Sequence, residues 1–260
     1  MKKKRLLITM GCSFTEGVGC WDMSITPPTL RAGDENYEKY LKHPSNVKRF
    51  HEFGWPNRVG KKLGFDRVIN LGKGGGSTSG QLKKFVNRIL NKNLMDYETY
   101  LIFQLPEPSR FSFYKDGMVW DLMASEKHPF ALEYSKNIYK LNDFLLEQNF
   151  YVTVLNEMCK RKSIKLSTFR LSNWCEDSDI KIFDREYHPF YIKRKNYIMP
   201  KGTTSPICNH HNEDGYEWVS NMVRDNMNRR YAELRDLKEV DNIEWEYMDY
   251  MYNQRIEPRP

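Results

Sequence analysis

Leu6-Leu7-Ile8-Thr9-Met10-Gly11-Cys12-Ser13-Phe14-Thr15-Glu16-Gly17 is the stretch that decides how the rest of the chain reads. A short apolar run follows a basic N-terminus and stops at a glycine, the pattern of a buried strand ending in a tight turn. In an open parallel α/β sheet, ligands bind beyond the carboxyl ends of the strands. The turn would carry Ser13 to that edge, hydroxyl and backbone N–H outward. A plain strand-to-loop corner with serine as a turn residue accounts for this stretch equally well. The segments downstream separate the two.

Residues 67–71 (RVINL) read as a second strand running into Gly72-Lys73-Gly74-Gly75-Gly76-Ser77-Thr78. Beyond it Leu82, Phe85, Val86, Ile89 and Leu90 share one apolar helical face. Strand, glycine loop and helix in that order aim backbone N–H groups at a bound anion. Neither GxxxxGK[ST] nor a dinucleotide fingerprint fits the glycines, and a flexible turn is the alternative. Residues 100–105 (YLIFQL) form a third strand closed by Pro106-Glu107-Pro108, which puts Gln104 to Arg110 at the same sheet edge. Residues 163–168 (SIKLST) supply a fourth.

Helices are predicted over 55–63, opened by Pro56 and stopped by Gly64, over 132–160 with a break near Asn149, and after Gly215. Residues 17–51 read as a surface excursion that could wall a cleft, 111–131 as irregular, and 170–206 as aperiodic loop. Strand–helix alternation over 5–235 predicts one three-layer α/β/α domain, flavodoxin-like, around a central parallel sheet. That domain is set at residues 1–238, with 239–260 as an appended C-terminal tail.

Composition bounds the rest. With 260 residues the chain suits one good-sized domain or two small ones, and 40% hydrophobic with 29% charged residues argues for a soluble protein with a real core. No apolar run approaches the roughly 18 residues of a membrane span. The run at 6–10 is too short for a signal-peptide core of about 7 residues or more, so a cytoplasmic home is expected. The five cysteines include no CxxC pair, which favours free thiols. A net charge of +7 invites a nucleic-acid reading, but the basic residues are dispersed and bring no recognition motif, so no nucleic-acid partner is expected. His210 and His211 could bind a metal with Cys208 and Asp214, but no other ligand cluster has zinc-like spacing. No metal or cofactor is expected.

Taken in order, these pieces resemble the SGNH (GDSL-type) hydrolase superfamily over about residues 5–235. Gly11-Cys12-Ser13-Phe14-Thr15 resembles the first block, with Cys12 where aspartate is frequent. Asn70-Leu71-Gly72-Lys73-Gly74-Gly75-Gly76-Ser77 resembles the second, N-L-[GA]-x-x-G-x-S, and sets Gly75 on the functional glycine. His210-His211-Asn212-Glu213-Asp214-Gly215 resembles the last, H-x-N-x-x-G, which selects His210 over His211. The resemblance implies acyl transfer to water, with Ser13 as nucleophile, His210 as general base, and the Ser13 and Gly75 amides as oxyanion donors.

Two departures from the pattern stand out. The third block, G-x-N-D, aligns with Gln104-Leu105-Pro106-Glu107, and Pro106 has no N–H or side-chain donor. Gln104, Ser109 and Arg110 are the candidate replacements. In D-x-x-H, Ile207 stands where the aspartate would be, so the second ring nitrogen of His210 should donate to a backbone carbonyl near 205–208 or to a remote carboxylate. His188 is the reserve base. The Pro-Ser-Arg segment at 108–110 resembles SGNH-like proteins of bacteriophage genomes, implying a viral source and a place in the host cytoplasm or virion. The implied substrate is a small-molecule or carbohydrate ester, such as an O-acetyl group on a sugar. The alternative is a catalytically degenerate scaffold with a binding or structural role.

Overall fold

The computed structural model describes residues 3–107, 110–115, 118–123, 133–134, 136–137, 140–171, 201–208 and 210–247. Its centre is a parallel sheet in the order β6-β3-β1-β2-β7, formed by β1 (Lys4–Met10), β2 (Arg67–Asn70), β3 (Tyr97–Gln104), β6 (Lys165–Phe169) and β7 (Glu244–Tyr247). The chain passes from β1 to β2 on one side and then to β3 on the other. The crevice where ligands bind in such sheets therefore lies beside the end of β1.

β1 and β3 carry unbroken apolar runs, Leu6 to Ile8 and Tyr100 to Phe103, because both their faces are covered. On β1, Leu7 packs into one core while Leu6, Ile8 and Met10 pack into the other. On β3, Tyr100 and Ile102 join the first and Leu101 and Phe103 the second. The first face is covered by α3 (Pro44–Phe53), α4 (Trp55–Lys62) and α7 (Glu213–Arg230), and the second by α5 (Thr78–Phe85) and α6 (Leu141–Arg161). This is the expected three-layer α/β/α sandwich.

Four local expectations need correction. The excursion at 17–51 is not confined to the surface: it holds α2 (Tyr37–Leu41) and most of α3, and Trp21 meets Phe50 edge-on at 5.1 Å inside the core. Buried aromatics spaced too far apart for a helical period hid this role. β4 (Arg110–Lys115) and β5 (Met118–Met123) form an antiparallel pair, where irregular chain was expected; residues 124–131 of that stretch lie outside the described residues.

α6 runs unbroken through Asn149, because its inward side chains Leu145, Gln148, Val152 and Leu155 stay buried across that point. Finally, the expected tail supplies β7, an edge strand paired with β2 from Arg67↔Glu244 to Asn70↔Tyr247. Acidic residues alternating with aromatics suit an edge, and Arg67 pairs with both Glu244 and Glu246. Residues 248–260 lie outside the described residues.

Cys12, Cys20, Cys159 and Cys208 are buried free thiols. Burial pushes Cys20 and Cys159 up to about 12, so neither is a ready thiolate. Among the described residues, no helix is long and apolar enough to cross a membrane.

Candidate active site

At the end of β1, Gly11 turns the chain with φ +154°. A Cβ there would lie 2.1 Å from Thr15 Oγ1, so only glycine lets the strand end this close to the next turn. The chain then enters the four-residue α1 (Ser13–Glu16), closed by Gly17 in the left-handed region. Ser13 is its first residue, a position whose N–H has no partner inside a helix. Asn70, at the end of β2, holds this turn from below. Its Nδ2 donates to Thr15 O at 2.8 Å, and its Oδ1 accepts from Gly72 N at 2.9 Å. The glycine loop is tied on as well: Glu16 Oε2 accepts from Gly74 N at 2.5 Å, and Gly11 O from Lys73 N at 3.1 Å. Gly75 follows, exposed at φ +73°, with open space where a Cβ would point.

His210 arrives from the far end of the domain on a turn that folds back on itself. Ser205 N donates to His210 O at 2.7 Å and Asn212 N to Thr203 O at 3.0 Å. Asn212 Oδ1 then caps α7 by accepting from Gly215 N at 3.0 Å. Asparagine two residues after the histidine and glycine three residues later thus fix where the ring stands. His210 Nε2 lies 2.7 Å from Ser13 Oγ, and Nδ1 lies 3.0 Å from the Cys208 carbonyl. A carbonyl can only accept, so Nδ1 carries the proton and Nε2 offers its lone pair to the serine hydroxyl.

Burial, with the Arg110 guanidinium acting the same way, pushes the His210 ring down to about 4 against the opposing pull of the Cys208 carbonyl. The ring is therefore neutral, and able to act as a base, at neutral pH. His211 is spent differently. It is buried, 5.1 Å from the Phe14 ring and 5.5 Å from Tyr216, so it packs the base of the turn.

Gln104 does not join this group as a donor to the cleft. Its Nε2 donates to Leu105 O at 2.8 Å, while Oε1 accepts from Cys12 N at 3.2 Å and Thr15 Oγ1 at 3.1 Å. It braces the serine turn from beneath. Arg110, at the start of β4, is close enough to act electrostatically on His210. Ser109 and His188 lie outside the described residues. The sequence reading gave Asn70 and Glu16 no role although both position the site; a polar side chain at the last buried position of an apolar strand, and its place at the head of the second block, were the signals for Asn70. Among the described residues, no group of three or more His, Cys, Asp or Glu side chains is placed to hold a metal.

No protein-family model and no curated protein matches the chain. Solved structures do. A carbohydrate esterase, described as having an active site with divergent catalytic and non-catalytic binding functions, matches 90% of this chain and 68% of its own at 12% identity, with a TM-score of 0.51. A psychrotrophic esterase from Pseudoalteromonas sp., solved with monoethylphosphonate as inhibitor, matches 88% of this chain and 100% of its own at 11% identity and a TM-score of 0.45. A GDSL-like lipase from Bacteroides thetaiotaomicron matches 87% and 89% at 10% identity and 0.40. At such identities the likeness is one of fold. The chain has a three-layer α/β/α fold around a parallel sheet, and shares it with the carbohydrate esterase.

Proposed function

We propose that this chain is a serine ester hydrolase working through a Ser13–His210 dyad. The observation that carries this reading is the 2.7 Å approach of His210 Nε2 to Ser13 Oγ, with Nδ1 committed to the Cys208 carbonyl. Ser13 Oγ attacks the ester carbonyl as its proton passes to Nε2. The Ser13 N–H, unclaimed at the first position of α1, and the Gly75 N–H receive the developing oxyanion. Collapse of the tetrahedral intermediate expels the alcohol, which takes the proton from Nε2. Water then repeats the sequence on the acyl-serine, and its proton returns to Ser13 through His210.

The Cys208 carbonyl stands where a carboxylate would otherwise stabilise the imidazolium. A neutral acceptor does this less well than an anion, so turnover of generic esters should be slow. An O-acetyl group on a carbohydrate is the substrate class we favour. The exposed glycine loop suits a short acyl group, and the fold likeness to a carbohydrate esterase accords with it. A serine-directed phosphonate tests the reading, because it needs only an activated hydroxyl beside oxyanion donors. Labelling of wild type and none of Ser13→Ala supports it; equal labelling of both, or of neither, favours a binding scaffold.

A further inference from the structure

Two residues that line one small pocket, Arg110 and Gln148, carry buried polar atoms without partners among the described residues. Among the described residues Arg110 Nε and Nη1 and Gln148 Oε1 are buried with no hydrogen bond, and Thr78, Ser79, Phe144 and Tyr151 also line the pocket. Gln148 is 3% exposed. Its Nε2 donates to Thr78 Oγ1 at 2.6 Å and to the Pro106 carbonyl at 3.1 Å. The Pro106 carbonyl can only accept, so the amide cannot be turned over, and Oε1 is left needing a donor. Glu147 also lines the pocket, but it is exposed and takes the Tyr151 hydroxyl at 2.9 Å.

The pocket adjoins the reacting centre. Thr78 and Ser79 begin α5, which follows the Gly74–Gly75–Gly76 loop after the capping Ser77, and Arg110 acts electrostatically on His210. Unpaired donors on a guanidinium call for an anion, above all a carboxylate, and the positive end of α5 favours the same sign. An unpaired amide oxygen calls for a hydroxyl. A neutral sugar would leave the guanidinium charge uncompensated, and a phosphate dianion would have no proton to offer Gln148.

We propose that Arg110 and Gln148 form a subsite for an acidic sugar, whose carboxylate accepts from Arg110 and whose neighbouring hydroxyl donates to Gln148 Oε1. This rests on the esterase reading and names its substrate: an ester borne on a carbohydrate that carries a carboxylate. A carboxylate on Arg110 also offsets the positive field on His210, so the base strengthens when the right substrate is bound.

Two measurements test the subsite, with the full chain in both. The first is calorimetric binding of glucuronate and glucuronamide to Ser13→Ala, which needs no turnover. Glucuronate should bind about 10- to 100-fold more tightly than the amide, as expected for a charge-assisted contact. Arg110→Met in the same background should erase the difference, and Arg110→Lys should recover part of it. The second is kcat/KM for O-acetylated glucuronic acid against its amide, where the same ratio should appear in wild type and fall to about 1 in Arg110→Met.

Equal binding of acid and amide, as a pocket that holds only a water would give, overturns the proposal. So does an unchanged ratio in Arg110→Met. If Arg110→Met fails to fold, Arg110→Lys decides: an acid preference equal to wild type overturns the subsite, and a reduced one supports it. Failure of the esterase reading looks different, because the phosphonate would not label Ser13 while glucuronate binding still sustained or sank the subsite.

Discussion

β1 and β3 lie side by side and end at one edge of the sheet, yet their last residues serve opposite ends. After β1, the chain reverses through Gly11 and presents Ser13 outward to His210. At the end of β3, Gln104 turns inward and binds the neighbouring turn from below. A polar side chain at a strand end is therefore reactive or structural according to which way the backbone leaves the sheet. The presenting turn depends on the bracing one: the Cys12 N–H, immediately before the serine, is satisfied by Gln104.

The largest effect is expected from the presenting turn. Ser13→Ala should lower ester hydrolysis by about 10⁴-fold or more, and adding His210→Ala should cost little beyond that, since nucleophile and base fail as a unit. Steady-state kinetics on a short activated ester would measure both, and an additive double mutant would break the dyad reading.

Next comes the bracing turn. Gln104→Leu leaves the Cys12 N–H buried and unpaired, which should cost roughly 1–3 kcal/mol of stability. The resulting shift of Ser13 should lower kcat by about 10²-fold, as small misplacements at a reacting centre do. Denaturant titration and kinetics together would read this. A variant as stable and as active as wild type would mean that the two turns are independent.

Gly75→Ala sharpens the comparison at the glycine loop. The backbone donor remains and the added methyl meets open space, so the penalty is the left-handed φ of +73°, about 1–2 kcal/mol, with less than a tenfold change in kcat. A loss as large as that of Ser13→Ala would show that the methyl blocks the acyl position.

The smallest effect is a flat pH profile. His210 must be neutral to accept the serine proton, so kcat/KM should fall only as pH drops through about 4, the point to which burial and Arg110 push the ring. An ordinary histidine would already have lost about tenfold by about pH 5.5. A decline centred near that ordinary value, on a neutral ester, would mean that His210 is far more hydrated than the structure has it.

Where local pattern and tertiary packing agreed, the chain was readable. β1, β2, β3 and β6 are short apolar runs bounded by turn residues, and their identity follows from period and punctuation alone. The antiparallel pair of β4 and β5 was unreadable because its aromatics do not separate into one buried and one exposed face in the sequence. The edge strand β7 was masked by its carboxylates, which become favourable only once Arg67 lies opposite them. Helix α6 lost its expected break because its packing against the sheet outweighs the weak helix preference of asparagine at 149.

By itself the sequence determined the strand–turn–helix order, the parallel α/β class, and which serine, glycine and histidine stand in motif-like surroundings. Those are properties of neighbours along the chain, carried by period, turn residues and spacing. Only the tertiary structure decided that Ser13 meets His210 across 197 positions, that a backbone carbonyl orients the ring, and that Gln104 braces while Arg110 Nε and Nη1 find no partner among the described residues. The reason is physical. Such contacts depend on where each backbone segment leaves the sheet and on which polar groups find partners once water is excluded, and neither is a property of any local stretch of chain.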